Sequence, residues 1–230
     1  MSFVPGMHPG FIWARRAGEI IFTKTATLSR LSADPSSYAG TSIGPATSGR
    51  IVVVSVGAHN GDPTIPVFIS LTIDGSPMTE VATQAQTNSG AGNSARSSIF
   101  ALPWSSGTTA TFSLDMNGAF INQLVVYSMI GANPAVYDTA GVVAGADTLI
   151  DAATGGLVFA SAFANSSGAG AHTWTGTAGL TKDADVTGTG GGASTAWRIF
   201  TSDGTDLTLA ANAAGTVFCE TMCAASWQPA

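Results

Sequence analysis

Apolar residues in this chain come in short runs of two kinds. Some alternate with polar residues, as strands wet on one side do, and others are continuous. "RIVVVSVGA", Arg50 to Ala58, is continuous. Along a strand Ile51, Val53 and Ser55 face one way and Val52, Val54 and Val56 the other, so neither face suits water. "QLVVYSMIG" and "GLVFASAFA" share the feature. All three read as central strands of a sandwich needing cover on both faces, since each wet Val or Phe forfeits ~1.5–3 kcal/mol. The expected cover is loops, an N-terminal arm or a neighbouring copy.

From Glu19 onward, runs rich in Val, Ile, Thr and Phe are separated by Gly, Pro, Ser, Asn and Asp, and no 3.6-residue period persists. Strands are predicted over Ile20–Leu28, Arg50–Ala58, Val67–Asp74, Met78–Ala85, Ala95–Leu102, Thr109–Asp115, Gln123–Ile130, Leu157–Ala164, Ser194–Thr201, Asp206–Ala211 and Thr216–Trp227. In "IDGSPM", Asp74 and Gly75 form a turn pair suited to a tight hairpin. The expected fold is all-β: a single antiparallel β-sandwich, jelly-roll-like or immunoglobulin-like, over residues 19–230. "HNGDPTIP" and "NSSGAGAH" each follow a central run, a match too short to establish an internal repeat. "QTNSGAGNSARSS" and "DVTGTGGGAS" read as flexible surface loops.

Residues 1–18 form an irregular arm in which Pro5, Gly6, Pro9 and Gly10 are interleaved with Phe3, Phe11, Ile12 and Trp13. Either the arm folds back on its own sandwich or it supplies assembly contacts on an adjacent subunit through those four side chains.

At 230 residues, 45% hydrophobic and 10% charged, the chain is folded rather than disordered, and one domain accommodates it. Eight Lys+Arg against 14 Asp+Glu leave a net charge of -6 and no basic stripe, which argues against nucleic acid as a partner. The first twenty residues lack a secretory signal pattern and no stretch reaches the ~20 apolar residues of a membrane span, so synthesis in a cytoplasm without membrane insertion is expected. Cys219 and Cys223 lie on one predicted strand with Cα atoms about 13 Å apart, beyond disulfide reach, and read as buried thiols.

Candidate chemistry is thin. His59 precedes Asn60, Gly61 and Asp62, but no nucleophile elbow accompanies it; His8 lies in the arm and His172 in "AHTWTG". A glycosidase needs two facing carboxylates, and the Glu residues are Glu19, Glu80 and Glu220. Glu220 is expected to point outward, the alternative being burial with a raised pKa. Asp183 and Asp185, expected on a flexible glycine loop in "TKDADVTGTGGG", and Asp203 and Asp206 in "SDGTDL", offer oxygens to calcium without matching the twelve-residue loop pattern. No catalytic residue, metal or cofactor is assigned. Trp197 and Trp227 read as core, while Trp104 and Trp174, at strand ends beside polar loops, are candidate platforms for a glycan ring.

An ordered set of segments between Thr23 and Gln228 carries a resemblance: "SGRIVVVSVGA", "ISLTIDGSPMTEVATQ", "IFALPWSSGTTATFSLDMNG", "LVVYSMIGANPAVYDTAG", "HTWTGTAGLTKDADV" and "AASWQP". In these the chain resembles the small Gly/Ala/Ser/Thr-rich β-sandwich structural proteins of tailed bacteriophages and prophages. The resemblance implies a non-enzymatic virion component, of the tail or adsorption apparatus in preference to a capsid-surface decoration. Its partners would be other virion proteins and copies of itself. The aromatic arm has no counterpart in the resemblance. A glycan-binding, receptor-recognition module and a hydrolase are the alternatives from other classes.

Overall fold

The computed structural model describes residues 18–31, 35–60, 68–88, 92–116, 121–143, 146–166, 171–188 and 191–230. All regular structure in them is β. The strands are β1 (Ile21–Leu31), β2 (Ser36–Ser42), β3 (Ile51–Asn60), β4 (Phe68–Ile73), β5 (Ser76–Pro77), β6 (Thr79–Asn88), β7 (Asn93–Pro103), β8 (Thr109–Met116) and β9 (Ile121–Ile130) in the N-terminal half. The C-terminal half has β10 (Ala132–Val143), β11 (Thr148–Ala152), β12 (Leu157–Ser166), β13 (His172–Thr175), β14 (Thr181–Gly188), β15 (Gly191–Ile199), β16 (Gly204–Ala213) and β17 (Val217–Pro229).

These strands form four antiparallel sheets stacked face to face. An N-terminal outer sheet, ordered β2-β8-β4-β5, packs on an N-terminal inner sheet, β1-β9-β3-β7-β6; a C-terminal inner sheet, β10-β17-β12-β15-β14, follows, then a C-terminal outer sheet, β11-β16-β13. The all-β antiparallel sandwich expected from the sequence is thus present, and it is four layers thick. Within each half the strand order is that of a jelly roll, two interleaved Greek keys, which decides between the two expected topologies. In the first half the chain changes sheets at Met78, between β5 on the outer sheet and β6 on the inner one.

The two halves repeat each other. Substituting β10, β11, β12, β13, β14, β15, β16 and β17 for β1, β2, β3, β4, β6, β7, β8 and β9 converts one set of sheet orders into the other, the two-residue β5 alone having no counterpart. Details recur as well. A bulge falls between Glu80 and Ala82 in β6 and between Lys182 and Ala184 in β14. The Trp104 N–H donates to Arg50 O at 2.8 Å, and the Phe200 N–H to Gly156 O at 2.9 Å. The repeat that the short match between the two loop sequences does not establish is thus carried by the architecture. Equivalent residues meet where the inner sheets touch: Ser55 Oγ lies 2.6 Å from Ser161 Oγ, and His59 Nδ1 3.3 Å from Asn165 Nδ2. A pseudo-two-fold axis consequently runs along β3 and β12, which point the same way.

This packing corrects the expected cover of the continuous apolar strands. Every residue of β3 is buried. Val52, Val54, Val56 and Ala58 join Phe112, Leu114 and Ile73 in the core beneath the N-terminal outer sheet. Ile51 and Val53 join Tyr127, Phe159 and Trp227 in the core between the inner sheets. Val158, Ala160 and Met222 complete a third core against Ile150 and Leu209. The second face is covered by the other half of the same chain, and no arm, loop or second copy is needed. A strand buried on both faces loses its polar alternation, which is why these runs are continuous.

Local chemistry sets the connections. Asp74 (φ 45) and Gly75 (φ 80) form the two-residue hairpin between Ile73 and Ser76, as expected, and Asp74 Oδ1 also accepts the Thr111 N–H at 2.7 Å. Gly131 (φ 82) alone separates β9 from β10; a Cβ there would lie 2.2 Å from Glu19 O.

β2, β5, β10, β11, β13 and β14 were not among the predicted strands. Four of them belong to the second half, where Ala, Gly, Asn and Asp dilute the β-branched signal. The two presumed flexible loops are largely strand: Asn88 pairs with Asn93 across the β6–β7 hairpin, and Gly188 with Gly191 across β14–β15.

Candidate functional site

The last residues of β1, β3, β6 and β8, with those of their second-half equivalents β10, β12, β14 and β16, lie at one end of the stack, because the pseudo-axis runs parallel to the strands. At that end a band of polar side chains crosses the boundary between the halves. Asn165 Nδ2 lies 3.3 Å from His59 Nδ1 and donates to Asn93 Oδ1 at 3.2 Å. The Cys219 thiol reaches Asn93 O, and Asn88 Nδ2 donates to Phe218 O at 3.0 Å. Burial holds the His59 imidazole below its ordinary range, against a weaker upward pull from the backbone at Asn60, so it is neutral near pH 7. Its ring stacks over Phe163 at 6.2 Å.

The band continues to Glu220, which is 5% exposed. This overturns the outward orientation expected for it. Glu220 Oε1 accepts the Ala213 N–H at 2.7 Å and lies 3.6 Å from His172 Nε2, while the Glu220 N–H donates to Gln86 Oε1 at 2.8 Å. Burial pushes the Glu220 carboxyl up, and the Ala213 bond opposes the shift without cancelling it. His172 is held in turn by Asp185, whose Oδ1 accepts its N–H, and by Lys182, which donates to His172 O at 3.2 Å and to Asp185 Oδ2 at 2.6 Å. A surface dent with no enclosed room for a water molecule adjoins Glu220, walled by Val142, Val143, Ala146, Ala211 and Met222. Ligand pockets usually measure ~300–1,000 Å³.

Because the folded pKa of Glu220 is raised, its contribution to stability is fully present below the unfolded carboxylate range and is lost as pH rises through the folded pKa. Glu220→Gln keeps an acceptor for Ala213 but removes the buried charge. The thermal midpoint of the variant relative to the parent is therefore expected to climb as pH rises from about 4 to about 8. A difference that is flat or falls with pH would contradict it.

The remaining candidates do not converge. Asp183 and Asp185, expected on a flexible loop, stand on strand β14. Asp183 Oδ2 accepts the Tyr127 hydroxyl at 2.9 Å and lies 3.5 Å from Lys24 Nζ. Asp203 Oδ1 accepts the N–H and hydroxyl of Thr154 at 2.6 and 2.9 Å, and the Asp206 N–H donates to Asp151 Oδ1. Among the described residues no three His, Cys, Asp or Glu side chains are grouped to hold a metal ion. Glu80 accepts from Arg96 Nη2 at both carboxylate oxygens and from the Ser98 hydroxyl at Oε1. Cys219 and Cys223 are buried free thiols, the second pushed up to about 12 by burial. Trp104 and Trp174 are half-buried, packed on the edges of their cores, and Trp174 Nε1 donates to Ser194 Oγ at 2.9 Å. Phe3, Phe11, Ile12 and Trp13 lie outside the described residues, as does His8.

No family model, curated protein or solved structure matches the chain. No helix among the described residues is long and apolar enough to cross a membrane.

Sequence reasoning passed over one residue, Arg50. It is 0% exposed at the opposite end of the stack. Its guanidinium donates from Nε to Trp104 O (2.7 Å), from Nη1 to Gly44 O and Pro45 O (2.8 Å each) and Ile43 O (3.3 Å), and from Nη2 to Ser106 O (2.5 Å). The polar residue opening an apolar run was its only trace in the sequence.

Proposed function

We propose that the protein is a non-enzymatic structural component of a tailed-phage virion, in the tail or adsorption apparatus. The observation that carries this reading is the pair of jelly rolls fused through their inner sheets into one four-layer body. Jelly rolls serve as building blocks of viral shells and of lectins. A body whose inner sheets are consumed internally acts through its outer faces, ends, edges and appended segments. The segments of resemblance supply the tailed-phage context, and most of them coincide with strands of the stack. Phe3, Phe11, Ile12 and Trp13 supply contacts to a neighbouring subunit in this reading. Their receiving surface is not the second face of the central strands, which β12, β15 and β17 already occupy.

The test is particle composition. Tailed particles purified from cells that encode the chain are expected to contain it by mass spectrometry and to bind antibody-coupled gold at the tail. Its absence from intact particles would refute the virion role, and gold confined to the head would refute the tail placement.

A further inference from the structure

Four strands border the two inner sheets, β1 and β6 on one, β10 and β14 on the other. Exposed sheet edges invite pairing with another chain, and charged side chains normally discourage it. β1 carries Lys24, β6 carries Glu80, and β14 carries Lys182, Asp183 and Asp185. β10 differs. Over Ala132–Val143 its one charged residue is Asp138, whose Oδ2 already accepts the Asp151 N–H at 2.8 Å. Two of the exposed large hydrophobic side chains of the described residues, Tyr137 (47%) and Val143 (38%), stand on this strand. The edge is also held in place. β6 lies so close above it that a Cβ on Gly141 would fall 2.9 Å from Gln84 Oε1 and 3.2 Å from Thr83 O. From Asp138 to Val143 it pairs with Ser226 to Thr221 without a break in register, and Tyr137 stands at the bulge that immediately precedes this run. A preordered edge gives up little conformational freedom on binding.

We propose that β10 is a self-association edge that pairs antiparallel with β10 of a second copy, joining two C-terminal inner sheets into one. The strand is complementary to itself in one register. With Ala140 on the two-fold axis, Tyr137 of each copy lies opposite Val143 of the other, Asp138 opposite Val142, and Thr139 opposite Gly141. Both exposed apolar side chains then gain an aromatic to β-branched cross-strand partner, the favourable class of pair. Centring the axis on Asp138 would instead set two carboxylates face to face. Backbone hydrogen bonds supply the attraction and these side-chain pairs fix the register. The inference stands independently of the virion reading.

Sedimentation of the full chain across about 10 μM to about 1 mM tests it, since a small interface dissociates in that range. A reversible equilibrium between the 23.1 kDa monomer and a dimer is expected. Val143→Glu and Tyr137→Lys, at exposed positions, should each weaken the dimer by about tenfold or more. The double variant sets Lys opposite Glu at both pairs and should recover most of the affinity. A chain that stays monomeric throughout overturns the proposal, as does a dimer indifferent to both single substitutions. Failure of the double variant to recover overturns the register.

Discussion

Gly57→Ala is expected to lower the thermal midpoint sharply although it adds a single methyl group. A Cβ on Gly57 would lie 2.3 Å from Phe163 Cδ2 and 2.9 Å from Cγ. The Phe163 ring cannot swing away, because it is wholly buried among Ala95, Ala193 and Cys219, with His59 stacked on one face. Overpacking of this kind costs ~2–3 kcal/mol, which for a chain of this length is a fall of roughly 4–12 °C. Phe163→Ala should cost ~3–5 kcal/mol through the cavity it leaves. Residues 57 and 163 occupy equivalent places in the two jelly rolls, so a knob on one half fills a hole in the other. The double variant should then cost less than the sum of the single ones, by more than ~0.5 kcal/mol. Strict additivity in thermal or urea unfolding would show that the two positions do not meet.

The knob and hole also bear on how the halves recognise each other. Across the pseudo-two-fold axis, two N-terminal inner sheets would bring Gly57 against Gly57 and leave a void. Two C-terminal ones would drive Phe163 into Phe163. Only the mixed pair packs, so this contact favours the native arrangement within one chain over pairing of like halves.

Arg50→Met should be comparably damaging for the opposite reason. Here the loss is polar: the carbonyls of Ile43, Gly44, Pro45, Trp104 and Ser106 would all lose their donor from the guanidinium. No carboxylate is recorded among these bonds, so the buried charge is neutralised by aligned backbone dipoles instead of by an ion pair. Removing such a centre costs ~3–5 kcal/mol, in line with the breaking of other buried charged networks. Arg50→Lys should cost nearly as much, because a point-like ammonium cannot address carbonyls spread around the planar fork. Urea unfolding checks both, and a lysine variant as stable as the parent would show that charge alone suffices. The equivalent position in the second half is Gly156, where a Cβ would fall 2.7 Å from Trp227 O. The two halves thus close the same end by different means.

The candidate site was legible only in part. His59, His172 and Glu220 were visible as chemistry-bearing residues, yet nothing local showed that two jelly rolls would bring them into one polar band. Glu220 looked like an outward residue because alternation assigns it to a polar side. That inference fails on a strand with a sheet packed on each face. Asp183 and Asp185 looked like loop ligands because glycine surrounds them, but pairing with β15 makes them strand residues with partners of their own.

By itself the sequence determined the all-β class, most first-half strands, the Asp74–Gly75 hairpin and the buried thiols. Each follows from residue type and period over a few neighbours. It also established that β3 must be covered twice. Only the tertiary structure decided what covers it, that the chain is two jelly rolls related by a pseudo-two-fold axis, and which strands border the inner sheets. Those outcomes depend on pairings between residues about a hundred positions apart, such as Ser55 with Ser161. The halves share topology while their side chains have diverged, as Gly57 and Phe163 show, and a local pattern cannot report a partner that is defined by the space it fills.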